Sequence, residues 1–231
     1  MKTFLTMICF VPLLAVAGAN APVLEKKASA IVTKHWGEVL DPDGDCKFVL
    51  EKGRLVIGVP GTDHSLGFER GQMNAPRTLL AIEGDFIAQV KVSCEFPEGA
   101  TSLVPNRRPF HGAGFLLWLD EKNYIRLERA EMVYEGNNLS YASFESRLNG
   151  EFVRRGSASE MPLPPGETYL RLERRAGMVY ASTSADGNQW LSMEPLEMEL
   201  PKMVSLGVAA GHNTSSPFEA EFDDFRVFVE Q

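Results

Sequence analysis

Cysteine is scarce in this chain: three in 231 residues, at Cys9, Cys46 and Cys94, with no Cys-x-x-Cys pair. That excludes a disulfide-rich scaffold and a thioredoxin-like or zinc-ribbon motif. Histidine is nearly as sparse, and His35, His64, His111 and His212 stand far apart, without the spacing of a zinc site. Basic residues are in the minority, with 23 Lys and Arg against 31 Asp and Glu and a formal charge of −8. Such a balance argues against nucleic acid and anionic lipid as partners. Phosphate-binding loops, dinucleotide fingerprints and Ser/Cys–His nucleophile patterns are all missing. So is helical periodicity, because no stretch after the N-terminal segment keeps a 3.6-residue period for as long as about ten residues.

What is there begins with a targeting segment. Lys2 precedes the apolar run FLTMICFVPLLAVAGA, and Ala17-Gly18-Ala19 has the small-residue pattern of a signal-peptide cleavage site. The run is short for a membrane span, which takes about 20 apolar residues. Residues 1–19 are therefore expected to be a signal peptide, giving a secreted or periplasmic protein with no membrane association after cleavage; an uncleaved membrane anchor is the alternative. Cleavage would remove one cation, Lys2, and no acid, moving the formal charge from −8 to −9. Residues 20–34 read as a linker of mixed charge, and residues 35–231, from His35-Trp36 onward, as one domain. Cys46 and Cys94 each share parity with apolar neighbours, so both point toward a core. They either pair, if their strands are adjacent in an oxidising compartment, or pack as separate buried thiols.

Runs of period two fill the rest, separated by Gly, Pro, Asn and Asp. Strands are expected at 46–52 and 54–60, turning at Gly53. Another follows at 85–96. Residues 111–130, HGAGFLLWLDEKNYIRLERA, read as two strands joined by the polar turn 120–123. Further strands are expected at 139–148, 151–156, 168–175, 177–184, 204–210 and 222–229. The proline-bearing stretches 102–110 and 161–167 read as loops, since proline lacks the ladder donor. Asp186-Gly187 reads as a hairpin turn with Trp190 packing back. The fold class is all-β, a sandwich of two antiparallel sheets. Its expected inner face is Phe86, Val90, Val92, Phe115, Leu117, Ile125, Leu127, Leu170, Leu172, Leu206, Val208, Phe225 and Val227.

Several blocks resemble a known family. WGEVLDPDGDCKF (36–48), LVIGVPGTDHSL (55–66), GQMNAPRTL (71–79), EGDFIAQVKV (83–92), GAGFLLWLDEKNYIRLERA (112–130), YLRLERR (169–175) and PFEAEFDDF (217–225) are similar to a family of secreted bacterial domains of unknown function. That family lies in the concanavalin A-like lectin/glucanase superfamily and sometimes carries the label "regulation of enolase protein 1". The block GAGFLLWLDEKNYIRLE is also similar to the accessory C-terminal sandwich of family 43 β-xylosidases. The resemblance implies a concanavalin A-like jelly roll whose concave face binds sugar in many relatives. It implies no catalytic residue.

Functional candidates come from a repeat. YIRLER at 124–129 returns as YLRLER at 169–174, and in each copy Arg and Glu share the face opposite the aliphatics. Arg126, Glu128, Arg171 and Glu173, if their strands lie near each other in one sheet, would form a charged platform for sugar hydroxyls. Trp118, Tyr124 or Tyr141 would offer a ring face. The competing reading is a cross-strand ion-pair ladder worth little net stability. His111, before Gly112-Ala113-Gly114, marks a place where a ligand or another strand can approach the backbone. Asp41, Asp43 and Asp45 alternate like calcium ligands, and Asp223 in the closing segment would join them across the end of the sandwich. The loop fails the EF-hand template, with Cys46 in place of Gly and Lys52 in place of the bidentate Glu, and a polar turn is the favoured reading over a calcium loop. Glu128 and Glu173 are the one nominated carboxylate pair for a glycosidase. Same-face arginines would lower their pKa values, the wrong direction for a general acid. The reading is a secreted, non-catalytic carbohydrate-binding domain with a glycan partner. A protein-interaction or structural domain of the periplasm or cell surface is the alternative, and a weak glycosidase the third.

Overall fold

The computed structural model describes residues 29–31 and 36–229. The expected signal peptide, most of the expected linker and His35 lie outside the described residues. One sheet holds β1 (Ser29–Ile31), β3 (Lys47–Glu51), β4 (Arg54–Val59), β8 (Phe86–Cys94), β13 (Glu167–Arg175), β14 (Met178–Ser184), β15 (Leu191–Ser192), β16 (Leu196–Glu197) and β18 (Phe218–Val229). Its order is β15-β14-β13-β8-β18-β4-β3, with β1 on β18 and β16 on β14. The facing sheet holds β2 (Glu38–Leu40), β7 (Arg77–Glu83), β9 (Phe110–Asp120), β10 (Asn123–Tyr134), β11 (Asn137–Leu148), β12 (Glu151–Arg155) and β17 (Met203–His212). Its order is β12-β11-β10-β9-β17-β7-β2. A small pair, β5 (Leu66–Gly67) and β6 (Gln72–Met73), lies apart and brackets a 3-10 turn at Phe68–Arg70.

Every residue expected on the inner face is buried in one apolar cluster between the sheets. Period two is the cause. On β10, Ile125 and Leu127 reach the core while Tyr124, Arg126 and Glu128 stand on the opposite face. Burying each large apolar side chain contributes about 1.5–3 kcal/mol, which gives the two faces their fixed assignment. The turns follow local chemistry. Lys52 and Gly53 take positive φ between β3 and β4, and Asp120 Oδ1 accepts the Lys122 N–H at 2.8 Å between β9 and β10. Asp186 Oδ1 likewise accepts the N–H groups of Asn188 and Gln189, at 2.8 and 2.9 Å.

The structure adds to the sequence reading the short strands β5, β6, β15 and β16 and the 3-10 turn, and three further elements, β1, β2 and β7, differ from it. Residues 29–31, placed in the linker, pair antiparallel with Val227–Val229 of β18. Strands β2 and β7 escaped the period-two criterion. On β7, Thr78, Leu80 and Ile82 register with the core-facing Val208, Leu206 and Val204, but the other face is also covered, so polar and apolar residues do not alternate. The two described cysteines are free thiols, Cys94 buried and Cys46 half-buried. Burial pushes the Cys94 thiol up to about 12, so it packs as a small neutral hydrophobe.

Candidate functional site

The outer face of the seven-stranded sheet is divided in two. Over one half, residues 61–76 fold back onto the strands, and Leu66 and Ala75 pack with Leu116, Tyr124 and Ala209. The Tyr124 hydroxyl donates to the Leu66 carbonyl at 3.0 Å. Glycine permits the close approach, since a Cβ on Gly211 would lie 2.6 Å from the His64 carbonyl oxygen. Over the other half, the sheet is the floor of a groove of about 570 Å³. One wall is the 3-10 turn with Glu69 and Arg70, and another is the loop Asn106–Arg108.

Strand register builds the floor. Arg126 of β10 stands opposite Glu145 of β11, and Tyr124 opposite Arg147. Next along, Glu145 stands opposite Arg154 and Arg147 opposite Phe152, both on β12. All these side chains project from one face. Arg126 lies between two carboxylates, 3.4 Å from Glu128 and hydrogen-bonded to Glu145. Arg154 meets the second Glu145 oxygen at 3.2 Å. Arg147 reaches across to Glu69 at 3.0 Å and lies 4.0 Å over the Phe152 ring. Glu128, Glu145 and Arg147 are each less than 5% exposed, so this is a buried charge network rather than a solvated ladder. Glu128 Oε2 makes no hydrogen bond among the described residues. Phe152, at the rim, is half exposed. The lining holds six arginines against two glutamates, on a chain with an excess of acids.

The candidates from sequence end up in several places. Arg126 lines the groove floor, and Glu128, 3.4 Å from it, is buried beside the floor and does not line the groove. Trp118 and Tyr124 share their face but lie under residues 61–76, stacked on each other at 5.6 Å with Arg77 4.9 Å over Trp118. Tyr124 is fully buried, so its ring is packing and offers no platform. Tyr141 is also buried, at the groove's edge.

Arg171 and Glu173 belong to β13, in the other sheet, so the four-residue platform does not assemble. The two hexapeptides, which differ only at Ile125 and Leu170, took equivalent outward faces on opposite sides of the sandwich. There Arg171 lies 4.0 Å over the Trp190 ring and Glu173 pairs with Arg175 at 2.8 Å. The nominated carboxylate pair, Glu128 and Glu173, is separated by the core, and the glycosidase reading loses its two residues.

His111 points inward, not toward a ligand. It packs at the end of the sandwich with His212 and Phe218, at ring separations of 5.4 and 5.2 Å, and contacts Thr214 Oγ1 at 3.1 Å. Burial, with the nearby His212, pushes its pKa down to about 3. Burial lowers His212 as well, against the opposing hydrogen bond to the Pro60 carbonyl. The three described histidines, distant in sequence, are drawn together, since His64 bridges to His212 at a ring separation of 6.3 Å. Three separate segments supply them, so linear spacing carries no sign of the cluster.

The expected calcium set also comes apart. The Asp41 carboxylate closes its own loop, accepting the N–H groups of Gly44 and Cys46 at 3.1 and 3.0 Å. Asp43 and Asp45 turn toward His64, at 3.7 and 2.9 Å. Asp223 is near Lys91 instead, at 4.0 Å. Register explains the separation: Lys47, next to the aspartate loop, aligns with Glu219, whereas Asp223 lies four residues further along β18, about 13 Å away. Burial opposes ionisation of Asp45, but the His64 contact holds its carboxyl below the ordinary value. Burial and the charges of Asp41 and Asp45 push the Cys46 thiol far up.

Sequence reasoning missed Glu145, Arg147, Arg154, Phe152 and Glu69. The signal was present for the first four, because the strands at 139–148 and 151–156 put them on one parity; only the pairing of those strands with β10 was unknown. Glu69 arrives through a loop and left no periodic trace.

The fold has solved relatives. A functionally unknown protein from Saccharomyces cerevisiae matches with a TM-score of 0.64 at 14% identity, over 83% of this chain and 95% of that one. The GH43 BlXynB protein from Bacillus licheniformis matches with a TM-score of 0.59 at 13% identity, over 83% of this chain and 36% of that one. A xylan β-1,4-xylosidase from Bacillus halodurans gives 0.54 at 16% identity, over 80% and 34%. At these identities the likeness is one of fold, and the chain spans about a third of each of the two Bacillus proteins. No curated protein matches the chain. The model of a protein family of unknown function, DUF1349, matches residues 62–228, which include the groove lining, nearly all of the cover at residues 61–76 and the strands from β5 to β18. This chain belongs to that DUF1349 family.

Proposed function

We propose that the chain is a secreted, non-catalytic carbohydrate-binding domain and that the groove beside β10–β12 is its binding site. One observation carries this reading: a groove of ligand size whose floor is a fixed array of guanidinium and carboxylate groups, with the half-exposed Phe152 ring at its rim. Planar guanidinium and carboxylate groups hydrogen-bond pairs of neighbouring hydroxyls, and an aromatic face packs on the C–H side of a pyranose ring. Because the network is already held by its own ion pairs, little ordering is needed on binding. Sites of this volume take ligands of roughly one to three sugar rings. The excess of arginine in the lining favours saccharides that carry carboxylates, such as uronic-acid oligomers, over neutral ones. The GH43 BlXynB protein and the xylan β-1,4-xylosidase, which share only the fold, add the precedent of this sandwich within carbohydrate-active proteins.

The test is calorimetric titration of the folded protein with neutral and uronate oligosaccharides. Binding of the uronate series is expected, weakened at least about tenfold by Phe152→Ala, the loss of one stacking contact. Absence of binding to every saccharide by a folded protein would refute the reading and leave the protein-interaction alternative in front.

A further inference from the structure

We propose a second site, a transition-metal site of the zinc class formed by Asp45, Cys46 and His64, with Asp43 as the fourth ligand. It stands apart from the saccharide groove and does not depend on it. Asp45 Oδ1, Cys46 Sγ and a ring nitrogen of His64 lie within 4.8 Å of one another. His64 Nε2 is 2.9 Å from Asp45 and 3.7 Å from Asp43, and Cys46 Sγ is 3.6 Å from Asp45. Zinc bonded at its usual lengths to nitrogen, sulfur and oxygen in a tetrahedron sets its ligands roughly 3.3–3.8 Å apart. The observed separations bracket that range.

The donor set selects the metal. One imidazole, one thiol and carboxylates suit zinc, cobalt or nickel; calcium takes six to eight oxygens and has no use for sulfur or imidazole. The site is also braced as metal sites are. His64 is fully buried, and its other nitrogen, Nδ1, lies 3.1 Å from the Thr62 carbonyl, an arrangement that turns Nε2 toward the carboxylates. Asn74 Nδ2 donates to Asp43 Oδ2 at 2.5 Å and to the Asp63 carbonyl at 2.9 Å. Asp41 clamps the loop through the Gly44 and Cys46 N–H groups, setting Asp45 and Cys46 side by side. Asn74 Oδ1 accepts the Ser65 N–H at 3.1 Å, which ties the ligands to the segment that covers the sheet. A bound ion would therefore fasten residues 41–46 to residues 61–76, two loops that share no strand pairing.

Cobalt(II) is the probe. The full folded chain, stripped with chelator and dialysed, is titrated with cobalt(II) and read by absorbance, then back-titrated with zinc. The expected result is one ion per chain, with visible bands of tetrahedral intensity and a near-ultraviolet thiolate-to-cobalt charge-transfer band, all erased by zinc. Cys46→Ser, nearly isosteric, should abolish the charge-transfer band, and His64→Gln should weaken binding by about 100-fold or more. Cys94→Ser and Asp223→Asn, whose residues lie elsewhere, should change nothing. Circular dichroism of each metal-free variant establishes folding independently of the metal. Failure to bind, binding without the thiolate band, or a band that survives Cys46→Ser would each overturn the proposal.

Discussion

Replacing Arg126 by methionine separates a buried charge network from a surface ladder. Arg126 stands between Glu128 and Glu145, and the three side chains are 12%, 5% and 2% exposed. Methionine keeps most of the volume and removes the charge. Glu145 would retain Arg154, but Glu128 would be left as a buried carboxylate without its Arg126 partner. Breaking a buried pair this way costs about 3–5 kcal/mol, a large part of a typical 5–15 kcal/mol total stability. With a urea m-value of about 3 kcal/mol/M, the midpoint should fall by roughly 1–1.7 M at unchanged slope. Adding Glu128→Gln to Arg126→Met removes the stranded charge and should recover about 1–3 kcal/mol, a coupling that a double-mutant cycle isolates. A solvated cross-strand ladder, the competing reading of the sequence, makes the opposite forecast. A single-mutant loss below about 1 kcal/mol, the range of exposed ion pairs, would refute the buried-network account.

Three other outcomes are expected. His111 has a pKa near 3 when folded against an ordinary 6.5, so the unfolded chain binds the extra proton and the stabilisation present above about pH 6.5 is lost as pH falls toward 3. At about pH 4.5 the loss should be ~2.7 kcal/mol, and His111→Gln, compared with the parent by urea melts at both pH values, should lose less by most of that amount. Gly114→Ala should destabilise by about 1–3 kcal/mol or more in thermal melts, because its Cβ would collide with the Leu127 carbonyl and the Glu128 Cα. Glu69→Gln should leave stability within about 1 kcal/mol, since its carboxylate is half exposed, yet change saccharide affinity by loosening the Arg147 side chain across the groove; unchanged affinity in a protein shown to bind would remove Glu69 from the site.

Much was legible in the sequence because it is local. Period two assigned Ile125 and Leu127 to the core and Arg126 and Glu128 to the opposite face, and the turn residues Gly53 and Asp186-Gly187 placed two hairpins. The jelly-roll expectation rested on blocks spread across residues 36–225, and the two-sheet architecture agrees with it. Pairing between distant strands is another matter. YIRLER and YLRLER carry the same pattern, and nothing within either hexapeptide says that one lies in the seven-stranded sheet and the other across the core. Only tertiary structure put Glu145 beside Arg126, and only the fold of residues 61–76 decided that Tyr124 would be covered while Phe152 stayed open. The same holds for His64, which a loop carries to Asp45 and Cys46 from a segment with no periodic signal. Side-chain direction along a strand is set by neighbouring residues and burial; which strand lies alongside is set by the packing of the whole chain, and the groove is made from that second kind of contact.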